Sequence, residues 1–295
     1  MKTLNIKEIP IPSGAVHPSP PADILPRHEF TMGLIAPKGA GKTTLLLNLI
    51  LFYKKYFNQI IIFSPTIKND EKWDYIKDKE LLVNNHALKK AYEIINEKKK
   101  NQTSIVGERP STLMQDIRTA PEPVKKSFTG RIPEECFITE YDQSTLLGII
   151  NKQQTIVEFL DEHGFTKHTA DRILIIFDDL VGSSLFSNRR NDPFKRLNTN
   201  HRHSSVSILM VSQAYREIPK TVRTNFTCLI LFKIFNEKEK EAIHEEYPMD
   251  VKKDQWEQIY DYCTKEPHGF LYFNIMKPHG KRVMRNFDQI LFYKD

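Results

Sequence analysis

Between Gly33 and Ile50 the chain reads GLIAPKGAGKTTLLLNLI, an apolar run that breaks into a small-residue loop and then opens a helix. Strand, loop and helix in that order are what a phosphate-binding loop requires. The pattern is A-x-x-x-x-G-K-T, with Ala36 where glycine is commoner, then Pro37, Lys38, Gly39, Ala40 and Gly41, and finally Lys42, Thr43 and Thr44. Gly39 and Gly41 give the backbone room to curl. A curled loop turns successive N–H groups inward at a helix N-terminus, where the macrodipole already favours anions. Lys42 is then expected to reach the β- and γ-phosphates of a nucleotide, the Thr43 hydroxyl to complete a magnesium shell, and Thr44 to add a phosphate contact. A plain glycine-rich strand-to-helix turn is the competing reading, and the order of the elements favours the phosphate loop.

A second signature supports the first. RILIIFDDL, Arg172 to Leu180, is a β-branched run ending in two carboxylates. Such a run is buried on both faces of a parallel sheet, and its carboxyl end opens into the crevice where ligands bind. Asp178 is thereby placed to hold Mg2+ through water, and Asp179 stands where many ATPases carry a glutamate that orients the attacking water. Taken alone, the pair also reads as a turn or helix cap; beside a phosphate loop it reads as a hydrolase site. Guanine selectivity normally needs Asn-Lys-x-Asp, and Asn151-Lys152 continues instead as Gln153-Gln154, so ATP is the expected nucleotide.

At 295 residues the chain suits one large α/β domain with insertions. A formal charge of +6 is compatible with a polyanionic partner. Cys136, Cys228 and Cys263 lie far apart without metal-ligand spacing, which argues against a disulfide framework or a zinc site and for a reducing compartment. No apolar run is long enough to span a membrane, and the N-terminus lacks a signal-peptide core. Six prolines in the first thirty residues predict an extended arm over residues 1–29, laid on the domain or on a neighbour.

From Phe30 onward apolar runs alternate with helical patterns, as in a mostly parallel, twisted α/β sheet flanked by helices. Strands are predicted at 30–36, 59–66, 135–141, 172–180, 206–212 and 268–276. Helices are predicted from Lys42 to about Phe57, across 88–100, across 146–160, from Asn236 to about Glu246, and near 256–262. The region from Lys68 to Arg131 has low core propensity, and residues 101–130 read as a polar surface insertion in the domain that spans 30–295.

NHRHSSVSILMVSQAYREIPKTVRTN, Asn200 to Asn225, carries the most specific signal. It resembles the genome-packaging ATPases of large double-stranded DNA viruses, the poxvirus type and its relatives in the FtsK–HerA superfamily. The blocks that carry the resemblance are Arg202-His203, the strand Val206 to Ser212 ending at Gln213, Tyr215-Arg216, Ile218-Pro219 and Arg223-Thr224-Asn225, together with Phe177-Asp178-Asp179. The resemblance implies a P-loop NTPase of the additional-strand class. It also implies a homo-oligomeric ring, pentameric or hexameric, that uses ATP and Mg2+ to drive double-stranded DNA into a preformed capsid. The partners it implies are DNA held without sequence preference and a capsid vertex or portal protein; the expected location is the host-cell cytoplasm or the virion.

The residues themselves make mechanical sense of this. A strand next to the one bearing Asp178 would place Gln213 at the same carboxyl edge, where an amide can bond both the γ-phosphate and the attacking water. An arginine from a neighbouring subunit could neutralise charge developing in phosphoryl transfer, and the candidates are Arg202, then Arg223, then Arg216. Between Leu180 and Asn200, Arg189, Arg190, Lys195 and Arg196 offer phosphate-directed cations, with Lys98 to Lys100 the next such cluster. A solvated helix face is the competing reading of that run. No clustered carboxylates suited to two-metal cleavage occur after Phe235, which argues against a fused nuclease. Two other functions fit the same motifs: a cellular DNA pump of the same superfamily, and a nucleotide-binding scaffold that hydrolyses ATP poorly.

Overall fold

The computed structural model describes residues 17–105, 128–180, 184–186, 192–249 and 251–291. The elements run β1 (Thr31–Ile35), α1 (Lys42–Phe52), β2 (Gln59–Phe63), α2 (Asp74–Lys77), α3 (His86–Ile105), β3 (Phe137–Ile138), α4 (Gln143–Glu162), β4 (Ile173–Asp178) and α5 (Pro193–Asn200). They continue with β5 (Val206–Ser212), α6 (Lys220–Arg223), β6 (Cys228–Phe232), α7 (Glu237–Glu246), α8 (Lys253–Cys263), β7 (Phe270–Asn274), β8 (Val283–Arg285) and β9 (Gln289–Ile290).

Among the described residues the strands form one sheet in the order β3-β2-β4-β5-β1-β6-β7-β8-β9. From β3 to β6 every pairing is parallel, and β7 to β9 add an antiparallel ribbon. The strand carrying Asp178 is therefore not beside the phosphate-loop strand. β5 lies between them, pairing Ile35 with Ser212 on one side and Asp178 with Val211 on the other. That interposed strand is the additional strand expected from the sequence.

Both faces of the parallel strands are buried, so their sequences are nearly unbroken apolar runs. Alternate residues feed two separate cores. Ile173, Ile175 and Phe177 of β4 belong to one core with Leu146 and Ile150 of α4 and Phe194 and Leu197 of α5, a core that continues along the sheet to Trp256 and Tyr260 of α8. Leu174 and Ile176 face the other way, onto Leu46, Leu49 and Ile50 of α1. Helices thus cover the sheet on both sides, and each fully buried aliphatic or aromatic side chain contributes about 1.5–3 kcal/mol.

Several sequence expectations shift. The predicted strand at 135–141 shortens to the two residues of β3, because Glu134–Cys136 turn as a 3-10 helix. The region from Lys68 to Arg131 is not core-poor: Trp73, Ile76, Leu81 and Leu82 are buried in the α1-side core. Their spacing matches neither period because they lie on short turns and loops rather than on one long element. Helix α3 runs on to Ile105, into the predicted surface insertion, of which residues 106–127 lie outside the described residues. β6 was not foreseen as a strand; it is short, and its neighbours β1 and β7 come from opposite ends of the chain.

Of the proline-rich arm, residues 1–16 lie outside the described residues, and the rest packs along the sheet. Leu25 is buried, and the Tyr56 and Tyr53 hydroxyls donate to the Pro18 and Pro26 carbonyls, each at 2.9 Å. The arm ends at His28, whose ring nitrogens meet Ser207 Oγ at 2.8 Å and the Ser205 carbonyl at 2.9 Å. Burial holds the His28 pKa well below its ordinary value, and the nearby His17, Arg172 and Lys167 reinforce this against the Ser205 hydrogen bond. The unfolded chain takes up that proton near pH 6.5 while the folded chain resists it. Stability is then full above about pH 6.5 and is lost on acidification, with a slope of up to about 1.4 kcal/mol per pH unit per such histidine. The midpoint of thermal unfolding should fall between pH 7.5 and 5.5, and His28→Asn should flatten that dependence. A midpoint unmoved across this range would contradict the linkage.

Candidate nucleotide site

The loop after β1 closes on itself through few contacts. Ala36 N–H donates to the Ser212 carbonyl at 3.0 Å, and Ala40 N–H to the Pro37 carbonyl at 3.2 Å. Gly39 and Gly41 take φ values of 81° and 103°, in the region where a side chain strains the backbone. Gly41 is also the N-cap of α1, which has neither a side-chain cap nor an acidic residue in its first turn. An eleven-residue helix thus opens toward this loop with its N-terminal amides and dipole uncompensated by the protein. Thr43 is half-buried and Thr44 exposed on that first turn, while Pro37 and Ala40 are half-buried and Lys38 exposed.

Three strand ends deliver the remaining groups. At the end of β4, Asp178 is buried, and its Oδ2 accepts from Ser64 Oγ at 2.7 Å, just beyond β2. Asp179 turns out of the sheet with φ 52° and presents its carboxylate to two partners. Gln213 Nε2, just past β5, is 2.9 Å from each carboxylate oxygen, and Lys42 Nζ is 3.2 Å from Oδ1. Lys42, Asp178, Asp179 and Gln213, named from separate stretches of sequence, therefore meet at one edge of the sheet.

The polar accounting at that edge does not close. Lys42 Nζ and Asp178 Oδ1 are both buried without a hydrogen-bond partner. Such groups cost about 1–3 kcal/mol each, more when charged. Burial pushes the Asp178 pKa above its ordinary value, and Asp179 adds to the rise. The Ser64 hydrogen bond and the Lys42 charge pull the other way without cancelling it. An anion at Lys42 and a divalent cation at Asp178 would satisfy both groups. The donor set, one carboxylate oxygen with the Thr43 hydroxyl on the adjoining helix turn, suits a hard cation such as Mg2+ that keeps most of its waters.

The arginine candidates separate cleanly. Arg223 is tied within the chain: Nε and Nη2 each meet a Glu246 oxygen at 2.9 Å, Nη1 donates to the Ile218 carbonyl at 2.8 Å, and the guanidinium lies over the Tyr215 ring. Burial would raise the Glu246 pKa, but hydrogen bonds from Arg223 and Tyr215 outweigh it and hold the carboxyl below its ordinary value. Arg223 is thus a half-buried tie between α6 and α7, not a free cation in this chain's own site. Arg202 is exposed and precedes β5, at the opposite end of the sheet from its own phosphate loop. Seven residues at about 3.3 Å each put about 20 Å between them. Arg216 is exposed on the loop after Gln213, with its backbone N–H on Glu239 Oε2. Arg189 and Arg190 lie outside the described residues; Lys195 is half-buried and Arg196 exposed on α5, where Arg196 donates to Gln154 Oε1 at 3.0 Å. Lys98 is exposed on α3.

Two groups at the site were not foreseen. Ser64 anchors Asp178, and its signal was available as a polar residue ending an apolar strand. His268 Nδ1 lies 2.9 Å from the Ala40 carbonyl, and a Cβ on Gly41 would come within 3.1 Å of it. No local pattern marks His268, since only the antiparallel pairing of β7 with β6 brings it to the loop.

Comparison with solved structures finds the genome packaging NTPase B204 from Sulfolobus turreted icosahedral virus 2, in complex with AMP. Its TM-score is 0.51 at 11% identity, with 89% of this chain and 98% of that one covered. B204 from Sulfolobus Turreted Icosahedral Virus, described as a DNA-packaging ATPase, gives 0.49 at 12% identity over 87% and 96%. The pCW3 conjugation coupling protein TcpA gives 0.47 at 11% identity over 91% and 62%. At this identity the likeness to the first of these is one of fold. A search of curated proteins found no match. The family model of the poxvirus A32 protein matches residues 22–114 and 137–266, well over half of the sequence. The chain belongs to the poxvirus A32 protein family.

Proposed function

We propose that this protein is a Mg2+-dependent ATPase that works as a homo-oligomeric ring and drives double-stranded DNA into a viral capsid. The observation that carries the reading is the meeting of Lys42, Asp178, Asp179 and Gln213 at one sheet edge, with Asp178 Oδ1 buried without a hydrogen-bond partner and the Lys42 ammonium held by its ion pair with Asp179 alone. The family match and the fold shared with a viral genome packaging NTPase support the packaging role.

Each residue then has a task. The Gly39–Gly41 turn and the open start of α1 cradle phosphate oxygens, and Lys42 exchanges Asp179 for the β- and γ-phosphates. Asp178 and Thr43 would hold Mg2+, which when bound neutralises charge on the phosphates. Once Lys42 is engaged, Asp179 is left with Gln213, and together they can orient a water and accept its proton. The Lys42–Asp179 pair is in this sense a latch that nucleotide opens. Arg202 cannot reach its own phosphate loop, so any part it plays in the chemistry is across a subunit boundary. Lys195 and Arg196 on α5, with Arg189 and Arg190, would supply cations for the DNA backbone, a role that asks for no base contacts.

ATP turnover measured against protein concentration, with and without duplex DNA, tests the reading. A motor should show turnover that rises with assembly and accelerates with duplex DNA. A scaffold, or an enzyme with another partner, would turn over at a rate indifferent to DNA. In the same assay Lys42→Ala should weaken ATP binding, and Asp179→Asn should bind ATP while losing at least about 100-fold in turnover. Wild-type turnover by Asp179→Asn would remove it from the chemistry.

The Arg202 assignment is tested by mixing subunits. Arg202→Ala and Lys42→Ala proteins, each inactive alone, should regain part of the activity when combined, because some interfaces then join an intact arginine to an intact phosphate loop. An arginine acting in trans is worth about 10³ to 10⁵ in rate, so recovery is measurable well above either parent. No recovery at any ratio, with mixed rings confirmed, would place the arginine elsewhere, with Arg223 and the exposed Arg216 the remaining candidates.

A further inference from the structure

At the edge of the sheet opposite the nucleotide residues, three metal-competent side chains from separate segments converge. His17 comes from the arm, Glu29 from the turn before β1, and His168 from the 3-10 turn Lys167–Thr169 between α4 and β4. His17 Nε2 lies 3.2 Å from Glu29 Oε1 and 2.9 Å from His168 Nδ1, and the three ligand atoms all fall within 4.8 Å of one another. His17 is buried and the other two are half-buried.

Those spacings are close to what a metal requires. A tetrahedral Zn2+ with bonds of about 2.0–2.2 Å holds neighbouring ligand atoms about 3.3 Å apart. One N–H on His17 Nε2 could serve the two contacts only by being shared between them. Two imidazoles and a carboxylate are a donor set that first-row metals of the zinc class take readily, leaving a position for water. The His17 ring is held for the purpose by packing: His28 stands edge-on to it at 4.6 Å and His168 at 4.3 Å.

We propose that His17, Glu29 and His168 form a binding site for a zinc-class divalent cation. The cysteine spacing gave no hint of it, because none of its ligands is a thiol. Lys167 Nζ, 2.6 Å from Glu29 Oε1, competes with a cation for that carboxylate. Its ammonium also donates to the Arg202 carbonyl at 2.8 Å. A metal must share Glu29 with Lys167 or displace it. Binding therefore staples the arm to the sheet edge.

The test uses the full chain, stripped with EDTA and free of nucleotide, titrated with Co2+ as a spectroscopic probe and then with Zn2+. One Co2+ per chain should bind with the visible bands of a nitrogen and oxygen site of low coordination number, and Zn2+ should displace it. His168→Ala should lower the Zn2+ affinity by more than the about 10–100-fold typical of losing an outer-shell partner. Lys167→Met should raise it, and Lys42→Ala should leave it unchanged. Retained ATP-analogue binding shows that the His168 and Lys167 variants are folded; His168→Gln serves as the second variant if His168→Ala is not. Absence of the bands, bands that survive loss of His168, or thiolate charge-transfer absorption pointing to the cysteines would each overturn the site.

Discussion

The parallel seating of β5 between β1 and β4 is the constraint from which the rest of the site follows. Because Ile35 pairs with Ser212 and Asp178 with Val211, the phosphate loop, the carboxylate pair and Gln213 must leave the sheet at one level. A slip of one residue in β5 would turn every side chain of that strand to the other face. It would also exchange the partners of two independent cores, since Ile208 and Met210 serve one and Leu209 and Val211 the other. Register in the core thus specifies distance in the site, and the Lys42–Asp179 separation of 3.2 Å follows from apolar packing far from either charge.

The same arrangement explains why the site is strained in its electrostatics. Two adjacent carboxylates share a partly buried edge with one ammonium, which pairs only with Asp179. Asp178 accepts from Ser64 through Oδ2, and its pKa is raised by burial. A fold optimised only for stability would fill or pair these groups. Leaving Asp178 Oδ1 without a hydrogen bond and Lys42 Nζ with an ion pair alone is intelligible where triphosphate and metal complete the arrangement.

Much of this was legible in the sequence, for reasons tied to particular residues. The strand at 206–212 and its closing Gln213 were read at their observed bounds, because a β-branched run flanked by polar turns admits little choice. The phosphate loop was readable because its chemistry needs fixed residue types at fixed spacing. What escaped depended on long-range pairing. Arg223 is adjacent to motif residues, yet its charge is taken by Glu246, 23 residues later, through a helix whose packing no local period reveals. His268 reaches the loop from the end of α8 only because β7 pairs with β6. Trp73 is fully buried from within a stretch whose composition reads as surface. His17, Glu29 and His168 meet across 151 residues of sequence, so no spacing rule could join them.

The central claim is that the Asp178 oxygen without a hydrogen bond serves Mg2+ and that the Lys42 ammonium serves the nucleotide phosphates. Calorimetric titration of a non-hydrolysable ATP analogue, with and without Mg2+, into the wild type and Asp178→Asn tests it most directly. The amide keeps an acceptor for Ser64 but removes the charge, so the fold should be preserved. Mg2+ should tighten analogue binding in the wild type, and that enhancement should vanish in Asp178→Asn while metal-free binding stays the same or strengthens. An equal Mg2+ enhancement in both proteins would contradict the account.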